Sequence, residues 1–544
     1  MSKRIEIYDT TLRDGAQGRQ IKFSAEDQIR IVSALDAFGV AYIEGGQPGS
    51  NPKAADLFRR ARDLDLTHAK MAAFGSTRHP KSAVEDDSNL KALLAAETEV
   101  VTIFAKTSAL HAREILRVSL EENIALTRES VAYLREQGKR VMLDAEHFFD
   151  GFFEDEGFAL SVLEASHEAG AECLVLCDTN GGRLPWEIAQ AMQALQARIP
   201  GAAIGIHTHN DAGCAVANSL RAVREGAVQV QGTINGYGER TGNANLTTII
   251  PSLQLKMGYE VVTPEALATL TELSHVVAEL ANMTPRDAAP FVGRDAFTHK
   301  GGMHADAVSK VKHSYEHIDP VLVGNRTHVS VSEVAGRSSL LNKAAEFGIE
   351  LGREQAETHA ILQSIKEREH QGVEFEGADA SLELLMRRAL GEPVEFFKVR
   401  GFRCTVEQLG AGERPLSEAS IKLELPDGQR VHTVAEGEGP VDALNNALRK
   451  ALEPMYPELR DMHLEDYKVR ILDSREATRA KTRVLIESSD AHASWNTVGV
   501  SGNIIGASCD ALVDSIAYKL FQSQRRTEAG TAAHSAAVIP AAAP

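Results

Sequence analysis

The sequence predicts a (β/α)8 barrel followed by a helical region and a smaller α+β domain, on three observations. Eight short runs rich in β-forming residues alternate with longer amphipathic stretches through the first half of the chain. Those units fill about 250 residues, the usual length of a closed barrel rather than of an open doubly wound sheet. After Pro251 the alternation stops, and helical periodicity runs on until a second β-rich section begins near Pro393.

The predicted strands are 5–8, 41–44, 70–74, 100–104, 140–143, 172–177, 203–207 and 228–234. Between the first two, 24–38 reads as an amphipathic helix: Ile29, Val32 and Leu35 share a face, and Ser24-x-x-Asp27 has the spacing of a capping box. Helices are predicted over 264–281, 332–347 and 353–369, with a Gly/His-rich segment of little periodicity, 297–325, between the first two. A connection that long without regular structure is functional or disordered, and Thr298-His299-Lys300-Gly301-Gly302-Met303-His304 favours function. Strands return at 396–407, 419–425 and 467–472, with a turn at Asp427-Gly428.

Thr433-Val434 before Gly437-Glu438-Gly439 and Asp442-Ala443-Leu444 is echoed by Thr497-Val498 before Gly502 and Asp510-Ala511-Leu512. This repeat reads as two strand-plus-helix halves of one α+β domain. The expected domains are thus a barrel over 1–263, helical linker subdomains over 264–390, the α+β domain over 391–524, and an Ala-rich tail over 525–544, expected to be disordered.

The 544 residues carry 58 Lys+Arg against 76 Asp+Glu, a formal net charge of −18. With 43% hydrophobic and 25% charged residues the chain has the composition of a globular protein, which excludes global disorder and fibre. The acidic balance opposes wholesale binding to nucleic acid or to an anionic membrane, so an anionic substrate must meet a local positive site. Cys173, Cys177, Cys214, Cys404 and Cys509 form no C-x-x-C pair and read as buried apolar residues in a reducing, cytoplasmic compartment. No signal-peptide core and no apolar run of ~18 residues stands out, so no membrane targeting is expected.

The strongest chemical signal is His207-Thr208-His209-Asn210-Asp211 at the end of the seventh strand. Side chains two apart on a strand point the same way, so the imidazoles are either two hydrogen-bonded rim histidines or a pair facing one ion. Barrel topology favours the ion. Active sites of this fold lie at the C-terminal ends of the strands, and closure puts strand eight between strands seven and one. Asp14 follows strand one and Asn243 follows strand eight, completing an N/O set suited to Mg, Mn or Zn in an open, catalytic role.

Glu146 and Thr179 follow strands five and six. Glu146 is either a proton acceptor near the ion or a salt-bridged rim carboxylate. Arg13, beside Asp14, is placed to stabilise a developing oxyanion. Lys106 ends strand four, but with an intact ligand set a Schiff base is unnecessary, and a structural or phosphate-binding role is expected. Gly236 to Gly242 lacks the following acidic ribose ligand of a dinucleotide loop.

Tyr8-Asp9-Thr10-Thr11-Leu12-Arg13-Asp14-Gly15, the His207 to Asp211 motif and Gly238-Glu239-Arg240-Thr241-Gly242-Asn243 together resemble the DRE-TIM metallolyases, the group of the isopropylmalate, homocitrate and citramalate synthases. Gly15-Ala16-Gln17-Gly18, the run from Tyr42 to Lys53, and Glu146-His147-Phe148-Phe149-Asp150-Gly151 are similar to the citramalate synthase branch, whereas Gln47 and Ala54-Ala55 depart from its pattern. The resemblance covers nearly the whole chain. It implies a metal-assisted Claisen condensation of acetyl-CoA with pyruvate to (R)-citramalate and CoA, on the route to 2-oxobutyrate and isoleucine.

The resemblance further implies a divalent metal, Mg, Mn or Zn, held by Asp14, His207, His209 and Asn243. It implies Arg13, Glu44, Asp144 and Thr179 around the keto acid, with Glu44 either lining the pocket or supporting groups that do. Glu146 and His304 would abstract the proton with help from Tyr315, His304 and Tyr315 reaching in from the partner of a homodimer. The C-terminal part resembles the regulatory domain of these synthases at Gly437 to Ala443 and Gly499 to Ser508, which implies feedback control with isoleucine as effector. The nearest alternative is a 2-isopropylmalate or homocitrate synthase, with the same machinery and a larger pocket. A metal-dependent acyl-CoA lyase would carry a cysteine in a Gly-rich loop after the barrel strands, and the loop after strand eight has none. An inert amino-acid sensor would not need the complete ligand set.

Overall fold

The eight predicted runs are eight parallel strands of a closed barrel in the computed structural model, which describes residues 4–50, 52–299, 304, 307–308, 310–329, 337–352, 355–408, 415–472 and 480–537. They are β1 (Glu6–Asp9), β2 (Tyr42–Glu44), β3 (Lys70–Ser76), β4 (Val100–Lys106), β5 (Arg140–Glu146), β6 (Cys173–Asp178), β7 (Ile204–Thr208) and β8 (Gln229–Gly232). Each pairs with its sequence neighbour, and β1 closes on β8 with Tyr8 opposite Gln231 and Asp9 opposite Gly232. The chain divides into two units, Met1–Phe297 with Glu316–His328, and Thr298–Tyr315 with Val329–Pro544.

Strand alternation builds two separate apolar clusters in the barrel. Ile7, Ile43, Val101, Leu143, Leu174, Ile206 and Val230 face outward under the helices, while Tyr8, Tyr42, Val100, Met142, Cys173 and Val175 fill the interior. Two residues further along the inward face, apolar side chains give way to polar ones. Tyr42 is followed by Glu44, Val100 by Thr102 and Met142 by Asp144, all buried, and on β8 both inward residues, Gln229 and Gln231, are polar. The C-terminal mouth of the barrel is therefore floored by polar groups resting on an apolar plug.

The helix Ala25–Phe38 starts on the predicted capping box: Asp27 N donates to Ser24 Oγ at 3.1 Å, and Ser24 N donates to Asp27 Oδ2 at 2.7 Å. It buries Ile31, Val32, Leu35 and Phe38, with Ile29 half-buried at the edge of that face, and ends at Gly39, whose φ of 92° is the left-handed cap. Near its end, the Asp36 carboxylate accepts from the backbone N–H groups of Thr67, His68 and Ala69 at 3.0, 2.8 and 2.7 Å, tying down the approach to β3.

The second unit contains two three-stranded antiparallel sheets, β9 (Lys398–Glu407), β10 (Leu416–Glu424) and β11 (Arg430–Gly437), then β12 (His463–Ile471), β13 (Thr482–Ser489) and β14 (Ser494–Ser501). The helices Pro440–Leu452 and Ile504–Ala537 follow β11 and β14. The sequence repeat has a structural counterpart: Thr433 Oγ1 donates to Ala447 O at 2.9 Å, and Thr497 Oγ1 donates to Ala511 O at 2.8 Å. The last helix runs on to Ala537 where a disordered tail was expected from 525, because alanine, the best helix former, dominates there and proline first recurs at Pro540. Residues 538–544 of that expected tail lie outside the described residues.

Between barrel and sheets, 264–281 forms two helices, Pro264–Leu267 and Leu270–Leu280, and the next two predictions become Arg337–Glu346 and Ala356–His370. Residues 332–336 and 353–354 of those predictions lie outside the described residues. No described helix is long and apolar enough to cross a membrane.

Asp36→Ala leaves three amides without their acceptor and is expected to cost about 1–3 kcal/mol, read as a lower midpoint in urea or thermal unfolding. Burial raises the Asp36 carboxyl, but the three amides outweigh it and hold it below its ordinary value. A carboxyl depressed by folding stabilises above its unfolded pKa of ~3.9 and loses that contribution as pH falls through the folded value. The gap between wild type and variant should therefore narrow in acid; equal midpoints at neutral pH would remove the anchor.

Candidate active site

The loop after β1 folds onto its own first residue. Thr11 N and Thr11 Oγ1 donate to Asp9 Oδ1 and Oδ2 at 2.9 and 2.8 Å, and Thr11 Oγ1 accepts from Ile234 N at 2.9 Å. Burial pushes the Asp9 carboxyl up to about 7 even against these hydrogen bonds. The turn ends in one 3-10 turn, Gly15–Gln17, and brings Arg13 and Asp14 over the barrel mouth.

Arg13 is held on three sides. Its Nε donates to Glu44, its Nη1 donates to Asp14 Oδ2 at 3.1 Å, and its guanidinium lies 3.9 Å from the centroid of the Phe74 ring. Glu44 also accepts from Tyr8 Oη at 2.8 Å, and with that proton committed, Thr102 Oγ1 donates to Tyr8 Oη at 2.8 Å. Glu44, expected among the groups around the keto acid, is fully buried behind Arg13 and does not line the cavity. Its effect runs through the guanidinium: burial works against the Arg13 charge, but Glu44 and Asp14 outweigh it and fix Arg13 as a cation.

β7 delivers His207 and its extension delivers His209, which forms a bridge to Asn243. His207 Nε2 stands 3.4 Å from His209 Nε2 and 3.4 Å from Asp14 Oδ2, and His209 Nε2 stands 3.8 Å from Asp14 Oδ2. One candidate ligand atom from each of the three residues lies within 4.8 Å of the others. Asn243 Nδ2 donates to Asp14 Oδ1 at 2.9 Å and to Tyr237 O at 3.1 Å, leaving Asn243 Oδ1 buried without a partner. The loop that carries Asn243 depends on Gly238 at φ +152°, where a Cβ would come within 2.1 Å of Asn243 Nδ2.

Burial alone would raise the Asp14 carboxyl, yet Arg13 and the histidines hold it well below the usual carboxylate range. Burial and the neighbouring His207 lower His209 to about 4, so it is neutral at pH 7. An ionised carboxylate, two clustered imidazole nitrogens and an orphaned buried amide oxygen fit a divalent cation.

Arg13, Asp14, His207 and His209 line a cavity of about 270 Å3 at the C-terminal mouth, together with Phe74, Phe104, Asp144, Glu146 and Thr179, while Asn243 lies behind that lining. A larger cavity of about 820 Å3 opens at the N-terminal end of the strands beside Arg4, Phe38 and His68, away from the Asp14, His207 and His209 cluster. Glu146 ends β5, and the next residue, His147, takes a left-handed φ of 59°, a costly turn that lets its N–H donate to Thr179 Oγ1 at 2.8 Å. Lys106, from the end of β4, pairs with Glu146, which agrees with a structural role for that lysine.

His304 and Tyr315 belong to the second unit, where their rings stack at 4.1 Å with 23° between planes. Of the motif around His304, Gly302, Met303, Ala305 and Asp306 lie outside the described residues.

Three groups at the mouth escaped the sequence reading. Phe74 and Phe104, on the adjacent strands β3 and β4, stack on one wall of the cavity with ring centroids 5.6 Å apart. Gln231 links His207 to Asp144, with His207 Nδ1 and Gln231 Oε1 at 2.9 Å and Gln231 Nε2 donating to Asp144 Oδ1 at 3.0 Å. The available signal was alternation, which puts Phe74 in phase with Ala72, Phe104 with Thr102 and Gln231 with Gln229 on the inward face.

Comparison with known proteins agrees with this architecture. The HMGL-like family model matches residues 4–277, the homocitrate synthase post-HMGL domain-like model residues 291–372, and the LeuA allosteric (dimerisation) domain residues 376–520. The (R)-citramalate synthase of Geobacter sulfurreducens is 52% identical over 520 residues, 96% of this chain and 98% of that one. That of Aquifex aeolicus is 50% identical over 524 residues, 96% and 99% of the two chains. A probable 2-isopropylmalate synthase of Methanopyrus kandleri is 32% identical over 520 residues, 95% and 98% of the two chains.

Replacing Asp14 by Ala removes the one carboxylate among the clustered ligand atoms. Calorimetric titration of Mn2+ into the full-length variant is expected to show a loss exceeding the ~10–100-fold typical of a change outside the ligand set. Wild-type affinity in Asp14→Ala would refute the ion site.

Proposed function

The chain belongs to the HMGL-like family and, within it, to the (R)-citramalate synthases, and from that membership we propose that its barrel condenses acetyl-CoA with pyruvate to give (R)-citramalate and CoA. The observation that carries the reading is the gap in identity. Five (R)-citramalate synthases are 43–52% identical over nearly the full chain, against 32% for a probable 2-isopropylmalate synthase and 29% for a 2-isopropylmalate synthase, with one putative (R)-citramalate synthase at 33%.

Asp14, His207, His209 and Asn243 would hold a divalent metal, Mg, Mn or Zn, which when bound supplies Lewis acidity toward the keto acid. Arg13, oriented by Glu44, offsets the negative charge that builds on the keto oxygen as the new bond forms. Thr179 Oγ1 already accepts from His147 N, so its own proton is free to donate to the substrate carboxylate. Glu146, oriented by Lys106, takes a proton from the acetyl methyl group, and that carbon attacks C2 of pyruvate. His304 and Tyr315 of the partner subunit assist this proton transfer, and water then cleaves the thioester to release CoA. The stacked rings of Phe74 and Phe104 on the cavity wall support a small substrate, because they take up space that a branched 2-oxo acid would need.

The match of the second unit to the LeuA allosteric (dimerisation) domain supports a homodimer under allosteric control. Isoleucine as the feedback effector, the pathway through 2-oxobutyrate and a cytoplasmic location follow from the citramalate synthase reading itself.

With acetyl-CoA, Mn2+ and a panel of 2-oxo acids, thiol release is expected to give the highest kcat/KM for pyruvate. A higher value for 2-oxoisovalerate or 2-oxoglutarate would replace this assignment by isopropylmalate or homocitrate synthesis. Isoleucine is expected to bind in a calorimetric titration and to inhibit turnover, and removal of everything after Pro393 should abolish that inhibition. Binding of leucine without isoleucine would overturn the effector assignment.

A further inference from the structure

We propose that Gln231 is a positioning residue for the ion site, fixing the tautomer of His207 so that its Nε2 is free to ligate. The proposal rests on the reading of Asp14, His207 and His209 as metal ligands, and it concerns residues that the ligand set does not include.

His207 and Gln231 are register partners on the adjacent strands β7 and β8, and Asp144 comes from β5 on the other side of the barrel. All three are buried, with exposures of 4%, 0% and 4%. The direction of the chain of hydrogen bonds follows from donor chemistry. Ionised, as in mildly alkaline buffer, Asp144 only accepts, so the Gln231 amide presents its NH2 to Asp144 Oδ1, at 3.0 Å. Its Oε1 is then left facing His207 Nδ1, at 2.9 Å. An amide oxygen cannot donate, so Nδ1 must carry the proton, and the lone pair of the neutral ring falls on Nε2, the nitrogen 3.4 Å from Asp14 Oδ2.

A reversed amide would turn its NH2 toward Nδ1, move the ring proton to Nε2 and block ligation. Asp144 prevents the reversal, so a carboxylate on β5 acts on the ion through two intermediaries. The pattern is specific to this position. Gln229, two residues earlier on the same inward face, leaves its Oε1 without a partner and directs its Nε2 only to the Met142 sulfur at 3.5 Å. Burying Gln231 and Asp144 costs desolvation that apolar residues would avoid, and orientation of the ligand accounts for their presence.

The test uses full-length apoprotein in mildly alkaline buffer. Mn2+ is titrated calorimetrically, and 15N-histidine spectra of the same samples, assigned with His207→Asn, report the His207 tautomer. Wild type should show the Nδ1–H form. Gln231→Leu should lose that preference and bind Mn2+ ~10–100-fold more weakly. Gln231→Glu should restore both, since a carboxyl oxygen there accepts from Nδ1–H as the amide oxygen does.

A folded Gln231→Leu with wild-type affinity overturns the proposal, as does an Nε2–H ring in the wild type. If Gln231→Leu does not fold, the wild-type and Gln231→Glu spectra decide. A wild type with the Nδ1–H ring that binds no Mn2+ overturns the ion-site reading, and the proposal with it.

Discussion

Strand β1 pairs with β8 over the whole of its length, and the pairing does not stop where the strands end. Thr10 N and Thr10 Oγ1 both donate to Gly232 O, at 2.8 and 3.1 Å, and Thr11 Oγ1 accepts from Ile234 N. Gly232 allows this because a Cβ there would come within 2.5 Å of Ala244 O. The two loops are thus stitched together residue by residue beyond the barrel rim, which carries Asp14 to Asn243 across 229 positions of sequence. Since β7 borders β8 on its other side, His207 and His209 join the same cluster. The site is a consequence of closure: an open sheet with the same strands would leave Asp14 at one edge and lose the ligand set.

That geometry creates an electrostatic problem which the mouth solves only in part. Glu44, Asp14 and Asp144 are buried within reach of one guanidinium, in a protein that already carries a net −18. Burial and the neighbouring Glu44 push the Asp144 carboxyl up to about 7, so the cluster has reached the limit of negative charge it can hold. Buried charge of this kind is costly for stability and is retained where function needs it. A divalent cation among Asp14, His207 and His209 would reverse the local sign, giving an anionic keto acid the positive centre that the whole protein lacks.

Much of this was legible in the residues, for physical reasons. Strand runs announced themselves through β-branched content and spacing, the first helix through its capping box, and the ligand set through polar residues placed just after strand ends. What escaped was depth. Glu44 and Gln231 look like ordinary polar positions of alternating strands, and alternation alone does not say whether the polar face meets solvent or the inside of a barrel. The helix Asp379–Ala389 was missed for a related reason: all of Ala380 to Arg387 is buried, so no amphipathic stripe marks it. Glu383 and Arg387 are accommodated there by pairing with each other at 2.8 Å, a compensation that no single-residue pattern reveals.

The sheets of the second unit leave apolar side chains open on their edge strands. In β10 the alternate residues Ser417, Ala419, Ile421 and Leu423 are buried with Leu444, Ala447 and Leu448 of the helix Pro440–Leu452, so one face of the sheet is satisfied within the chain. The outer edge strands are less well covered. Phe402 and Val406 of β9, opposite Ile421 and Ser417, and Leu464, Val469 and Ile471 of β12, opposite Ser488, Val484 and Thr482, are on the same face as the buried rows yet 39–59% exposed. The repeat thus leaves an apolar edge in each half, which a second copy of the unit would cover if the two met along these edge strands. An effector held between two such edges would act on the assembly itself, and so on a barrel whose proposed proton-transfer residues, His304 and Tyr315, belong to the partner's copy of this unit.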